Sequence, residues 1–169
     1  MRFLVHTRAL LGFMTVAFLS ACAANPSGIP IGTSRDATLT ALGQPTAVWA
    51  LTGGERLQYS GQPWGQQVYN VDLDRSGRVV TTSQVMAPAA FAAVQNDVWN
   101  TQDILRAFGK PALVAQVHSF DGIVWTYRYA ELFGLNKQFH VFIDTSGRVR
   151  RTQMTDEPEL ADDRVGLGH

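Results

Sequence analysis

A phrase written twice constrains this chain more than any other feature. Asp-x-Ser-Gly-Arg-Val begins at Asp74 and again at Asp144. The likeness extends well beyond the phrase. Ser34 to Pro45 (SRDATLTALGQP) aligns with Asn100 to Pro111 (NTQDILRAFGKP) at an offset of 66. Leu57 to Ser60 (LQYS) aligns with Trp125 to Arg128 (WTYR) at 68, and Tyr69 to Val80 with Phe139 to Arg150 at 70. Self-similarity at a near-fixed period predicts two copies of one structural unit. The growing offset predicts two short insertions in loops of the second copy, where insertions are tolerated. The units span about 32–86 and 97–154.

Within each unit the local chemistry agrees with itself. Ser34 and Asn100 are good N-caps, each opening a short helix. Leu39 and Leu42 lie one turn apart, as do Leu105 and Phe108, which gives each helix an inward stripe. Gly43 and Gly109 stand where a helix ends in the left-handed conformation, and Pro45 and Pro111 bar its continuation. The hydrophobic period then changes to two. Tyr69, Val71 and Leu73 alternate with Asn70, Asp72 and Asp74; Phe139, Val141 and Ile143 alternate with His140, Phe142 and Asp144. The repeated phrase is a hairpin turn. Asp74 and Asp144 accept backbone hydrogen bonds at its start, and Gly77 and Gly147 supply positive φ at its end.

Strands are expected near 47–52, 56–60, 67–74 and 78–85, then near 114–119, 123–129, 137–144 and 148–154. Phe91, Val94 and Val98 recur at helical spacing and predict a connecting helix over 87–96 that leads into the second unit. The expected class is therefore α+β. Two tandem helix-plus-antiparallel-strand repeats form a joint sheet, with helices packed on one face.

The beginning of the chain bears on location. Arg2 and Arg8 precede an apolar run from Ala9 to Leu19 that is too short to span a bilayer. The run ends in Leu19-Ser20-Ala21-Cys22, which resembles the lipobox of bacterial lipoprotein signal peptides. The resemblance implies that residues 1–21 are removed and that Cys22 is acylated. Of 169 residues, 148 then remain, with the sole cysteine carrying lipid and no disulfide. Such a chain is anchored to a membrane without spanning it. Ala23 after the cysteine implies, by the same resemblance, the periplasmic face of the bacterial outer membrane. Residues 22–31 read as a lipidated tether and residues 155–169 as an acidic, flexible tail. The chain is 46% hydrophobic and 17% charged with a formal net charge of zero, so neither nucleic-acid binding nor a polybasic membrane patch is expected.

No His-Glu-x-x-His helix, Gly-x-Ser-x-Gly elbow or phosphate-binding glycine loop occurs. Asp72 and Asp74 lack the further ligands that a metal shell needs, so no metal, cofactor or catalytic set is expected. Partner-binding candidates are of three kinds. Trp125, Tyr127 and Tyr129 share one side of a strand, either as core or as an aromatic platform. Trp64 and Phe133 stand beside glycine in the loops after the tyrosine strands, suited to anchor a partner or to plug the sheet ends. Arg148 and Arg150 share a strand face, with Arg128 in the corresponding region.

The order of elements resembles the small SmpA/OmlA lipoproteins, the BamE-like accessory subunits of the outer-membrane β-barrel assembly machine. The matching residues are Leu42-Gly43-Gln44-Pro45, Tyr59 and Asp74-Arg75-Ser76-Gly77, then Phe108-Gly109-Lys110-Pro111, Trp125-Thr126-Tyr127 and Asp144-Thr145-Ser146-Gly147. That family has one copy where this chain has two. The tandem arrangement also resembles secreted β-lactamase inhibitory proteins, which grip a target with a sheet face and protruding loops. The resemblance implies a non-catalytic, lipid-anchored module that binds another envelope protein, in outer-membrane maintenance or barrel assembly. The alternative expectation is a carrier of a small molecule or cell-wall fragment, with a pocket between sheet and helices. A hydrolase would need His118 or His140 within reach of a nucleophile or acid.

Overall fold

The computed structural model describes residues 25–131 and 134–158. The expected leader, the expected acylation site Cys22, the loop residue Phe133 and the end of the expected tail, from 159 onward, lie outside them. In chain order the elements are α1 (Arg35–Leu42), β1 (Ala47–Leu51), β2 (Gly54–Ser60), β3 (Val68–Asp74), β4 (Val79–Gln84), α2 (Pro88–Phe91), α3 (Thr101–Phe108), β5 (Leu113–Ala115), β6 (Gly122–Ala130), β7 (Asn136–Asp144) and β8 (Val149–Asp156). A 3-10 turn at Pro26–Gly28 precedes α1.

The caps form as the residue types dictate. Ser34 Oγ accepts the Ala37 N–H at 3.3 Å. Asn100 Oδ1 accepts the N–H groups of Gln102 and Asp103, while the Asp103 carboxylate accepts the Asn100 N–H at 2.9 Å, a reciprocal capping box. Helices α1 and α3 each close on a glycine at positive φ, Gly43 at 77° and Gly109 at 75°. Both hairpin turns are built alike. Asp74 Oδ1 accepts the Ser76 N–H, the Ser76 hydroxyl and the Arg78 N–H, and Asp144 Oδ1 accepts the same three groups from Ser146 and Arg148. These contacts hold both carboxyls below their usual range, chiefly through the serine hydroxyl.

The expected joint sheet with helices over one face is not what forms. The structure is mostly antiparallel sheet, 44% strand against 18% helix, in two separate four-stranded sheets ordered β1-β2-β3-β4 and β5-β6-β7-β8. The helices are few and short. The reason lies in residues that alternation reads as solvent-facing. Arg56, Gln58, Asn70 and Asp72 share one face of the first sheet, by the β2–β3 register. That face meets the C-terminal end of α3. Gln58 Nε2 donates to Leu105 O and Arg106 O at 3.3 Å each, and Asn70 Nδ2 donates to Ala107 O at 2.8 Å. Arg56 holds Asp72 through two parallel bonds, 2.6 and 2.8 Å, and donates a third to Arg106 O at 3.1 Å. The last carbonyls of a helix have no partner within the helix; the first sheet supplies donors for those of α3. The halves therefore stack face to face through α3, and the sheet edges do not join.

The apolar packing follows the same plan. Leu57, Val71, Leu73 and Val79 form a small core, flanked by Ile29, Leu39, Leu42 and Tyr59. The larger core gathers Phe91, Ile104, Phe108, Tyr127, Phe139, Val141 and Ile143, and takes Val68 and Met86 from the first half. Phe91 stacks on Phe139 with ring centroids 4.0 Å apart and meets Phe108 and Tyr129 edge-on. Such pairs contribute about 0.5–1.5 kcal/mol beyond buried area. The connecting helix is shorter than its spacing implied. It covers Pro88–Phe91, and Val98 is 59% exposed. Strand β8 runs to Asp156, into the segment read as tail, because its acids have partners: Asp156 pairs with Lys137 and Glu157 with Arg128. Among the described residues, no helix is long and apolar enough to cross a membrane.

Candidate partner-binding surface

The aromatic trio of β6 faces inward. Trp125, Tyr127 and Tyr129 are all buried in the larger core, so they form no platform. Tyr127 donates its hydroxyl to Gly109 O at 2.7 Å, and its counterpart Tyr59 donates to Gly43 O at 3.3 Å. The conformity of the two copies explains why each unit pairs a tyrosine with a helix-ending glycine. Burial pushes the Tyr127 phenol far above its ordinary value.

The arginines are also committed to the fold. Arg148 donates to Asp97 O at 2.9 Å, as Arg78 does to Gly32 O at 3.0 Å. Both tie a hairpin turn to the segment before a helix. Arg150 pairs with Asp97 at 2.7 Å and lies 3.7 Å from Asp144. Arg128 pairs with Glu157. Each of these guanidiniums has at least one partner within the fold.

The histidines do not assemble a catalytic group among the described residues. His118 is exposed in the β5–β6 loop. His140 lies between two hydroxyls, with Nδ1 2.9 Å from Thr126 Oγ1 and Nε2 2.9 Å from Thr155 Oγ1. Burial lowers its basicity, so the ring is neutral near pH 7. Among the described residues, no carboxylate bonds to it, and no group of three His, Cys, Asp or Glu side chains gathers for a metal.

Among the described residues, two features stand out as open to a partner. The first is Trp64, 90% exposed in the loop between β2 and β3. The loop is fixed from both sides. Gly61 N–H donates to Gln67 O at 2.9 Å and closes its base. Gln62 exchanges bonds with the Arg128 backbone, 2.6 Å from its Nε2 to Arg128 O and 3.2 Å from Arg128 N–H to its Oε1. Gln66 donates to Asn136 Oδ1 at 2.9 Å, and Arg128 Nη1 to Pro63 O at 3.2 Å. Trp64 is thus displayed on a rigid support and does not fold back onto the sheet.

The second is a groove whose place and walls sequence reading did not locate. It has a volume of about 510 Å³ and lies between β1, an outer strand of its sheet, and α3. Ala47, Trp49 and Gln58 form one wall; Leu105, Gly109 and Lys110 form the other. Trp49 is held by its indole N–H, which donates to Gln58 Oε1 at 3.3 Å. Gly109 is the residue this wall permits: its φ is positive, and a Cβ would sit 3.1 Å from Gln58 Oε1. Among the described residues, no carboxylate lies within ion-pair distance of Lys110. The signal available in sequence was Gln58 and Asn70, two amides at strand positions where the second copy has Thr126 and His140. That difference marks one sheet face as a docking face and the other as a terminus.

The terminal face has a covered centre, with Leu113 58% exposed at its edge. Phe142 is covered edge-on by Phe120 at 5.4 Å and by the Arg151 guanidinium at 3.4 Å, while Thr126 and His140 satisfy each other. A tandem array ends in a unit with such an altered outer face.

No protein-family model matches the chain, and no curated protein matches it. Among solved structures, it is similar to a DUF4309 family protein, YjgB, from Bacillus subtilis, at 14% identity over 74% of this chain and 79% of that one. The TM-score is 0.29, too low to carry an argument about fold or function.

Proposed function

We propose that the chain is a lipid-anchored docking module of the bacterial cell envelope, acylated at Cys22 and held at the periplasmic face of the outer membrane. It binds an extended segment of another envelope protein along β1 and performs no bond-making chemistry. The observation that carries this reading is the groove. An outer strand with an unpaired edge stands beside an apolar channel whose opposite wall ends in a free ammonium, Lys110. An added strand takes main-chain hydrogen bonds from β1 and places alternate side chains against Trp49 and Leu105. Lys110 then favours an acidic group on the partner. The lipobox-like ending at Cys22 and the likeness of each unit to SmpA/OmlA lipoproteins support the location, and outer-membrane maintenance or barrel assembly as the setting.

In-cell photo-crosslinking from position 48 on β1 tests the reading, with position 145 in the β7–β8 turn of the second sheet as control. A protein adduct from 48 that is absent from 145 is the expected result. Absence of any protein adduct from 48 removes the proposal. A second reading draws on the groove's volume, which lies in the range of small-ligand pockets. It takes a cell-wall fragment stacked on Trp49, and a rise in melting temperature with purified muropeptides would favour it over a protein partner.

A further inference from the structure

We propose that Trp64 is a second membrane contact, seated in the headgroup region of the bilayer that the chain's own lipid enters. The inference rests on the acylation of Cys22 proposed above. Its structural basis is where the chain enters the fold. Asn25, the first described residue, stands three positions after Cys22, so the acylated cysteine lies within roughly 10 Å of chain length from it. Pro26 lines a shallow pocket with Tyr59, Gly61 and Gln67. Gly61 and Gln67 are the bonded base of the loop that displays Trp64. The lipid attachment and the exposed indole therefore belong to the same end of the molecule.

The same end carries a second exposed apolar side chain. Gln66, in the Trp64 loop, bonds to Asn136, whose neighbour Leu135 is 55% exposed in the β6–β7 turn. An indole has an apolar body and one N–H donor, the chemistry enriched at the boundary between hydrocarbon and water. The rigid support described above keeps the side chain projecting, so insertion orders little that is not already ordered. Lipid and indole together give two attachment points, which restrict rotation of the module about its tether and present the β1 groove at a constant height above the surface.

The test uses the sole cysteine. The mature chain, beginning at Cys22, is coupled through its thiol to a maleimide lipid in phosphatidylethanolamine–phosphatidylglycerol vesicles with brominated acyl chains. Bromine quenches indoles that reach the hydrocarbon boundary. Trp49, Trp99 and Trp125 are the background, and W64F removes the residue in question. The expected result is quenching and a blue shift in the unaltered chain, both absent in W64F. Equal quenching in the two proteins overturns the proposal. So does full access of Trp64 to aqueous acrylamide on the vesicle, which would leave it free for a protein partner. Because the lipid is attached chemically, the outcome does not depend on acylation in the cell. That question is settled separately by the mass of the chain extracted from membranes.

Discussion

Gln58 and Leu105, 47 positions apart, meet across the halves of the molecule: the Gln58 amide donates to the Leu105 carbonyl at 3.3 Å. The same amide group donates to Asn70 Oδ1 at 3.1 Å and its oxygen accepts the Trp49 indole N–H. One buried side chain thus joins the first sheet, the end of α3 and the wall of the groove.

Replacing it should be costly. Gln58→Leu keeps the volume and removes the partner of the Trp49 N–H and the amide donor to Asn70 Oδ1, while Leu105 O keeps the Gly109 N–H and Arg106 O keeps Arg56. Unsatisfied buried groups cost about 1–3 kcal/mol. The expected loss is about 2–3 kcal/mol, read as a lower urea midpoint at unchanged m-value. The substitution Thr82→Val is the contrast. Thr82 Oγ1 is buried with no partner, so its removal should be neutral or stabilising.

Tyr127 gives a prediction at high pH. An unfolded tyrosine loses its proton near pH 10, and the buried phenol keeps it well beyond. Above pH 10 the unfolded state binds fewer protons than the folded one, so stability falls as pH rises. Below pH 10 the group contributes no pH dependence. Tyr127→Phe should cost about 1 kcal/mol at pH 7, by orphaning Gly109 O, and should reduce the alkaline loss. Midpoints measured from pH 8 to 11.5 decide it; equal alkaline slopes for the two proteins would refute the assignment.

Asp74 and Asp144 give the opposite sign. Their folded carboxyls are held below the usual range, so their contribution is complete above the unfolded value near 4 and is lost as pH falls through the folded values. The double substitution Asp74→Asn and Asp144→Asn retains an acceptor for each turn and removes the charge. It should keep the fold and flatten the decline of stability below pH 4. A decline as steep as before would show that the turns do not depend on ionised aspartate.

Much of this arrangement was legible in single residues, and the part that was not has a specific cause. Caps at Ser34 and Asn100, glycine ends at Gly43 and Gly109, and the Asp74 and Asp144 turns are local chemistry, fixed within a few residues of chain. Sheet assembly is not local. Alternation places Gln58 and Asn70 opposite the apolar stripe, but cannot distinguish water from a helix end on that side, since both satisfy an amide. The groove inherits the same ambiguity because half its wall comes from the other unit. The Gly-Pro surroundings of Trp64 placed it in a loop but left open a projecting tip or a plug of the sheet end. What braces the tip was not legible, because Gln62 and Gln66 bond to Arg128, Tyr129 and Asn136, 63–70 positions away.

The groove itself yields the most direct functional test. Ala47 lies on an outer strand and lines the groove opposite α3, so a large side chain there fills the channel without entering either core. Ala47→Arg should change stability by no more than about 0.5 kcal/mol. It should still abolish the protein adduct formed from position 48, because the channel that takes alternate partner side chains is occupied. Lys110→Glu acts by another route. It leaves the channel open and reverses the charge at its end, so an acidic partner group is repelled. Rim charges act mainly on association rate and its salt dependence. The expected result is roughly a tenfold slower association at low salt, converging with the unaltered chain as salt screens the charge. If Ala47→Arg binds as the unaltered chain does, β1 is not the docking edge. If it fails to bind while Lys110→Glu binds normally at every salt concentration, the edge is correct and the partner carries no acid at that position.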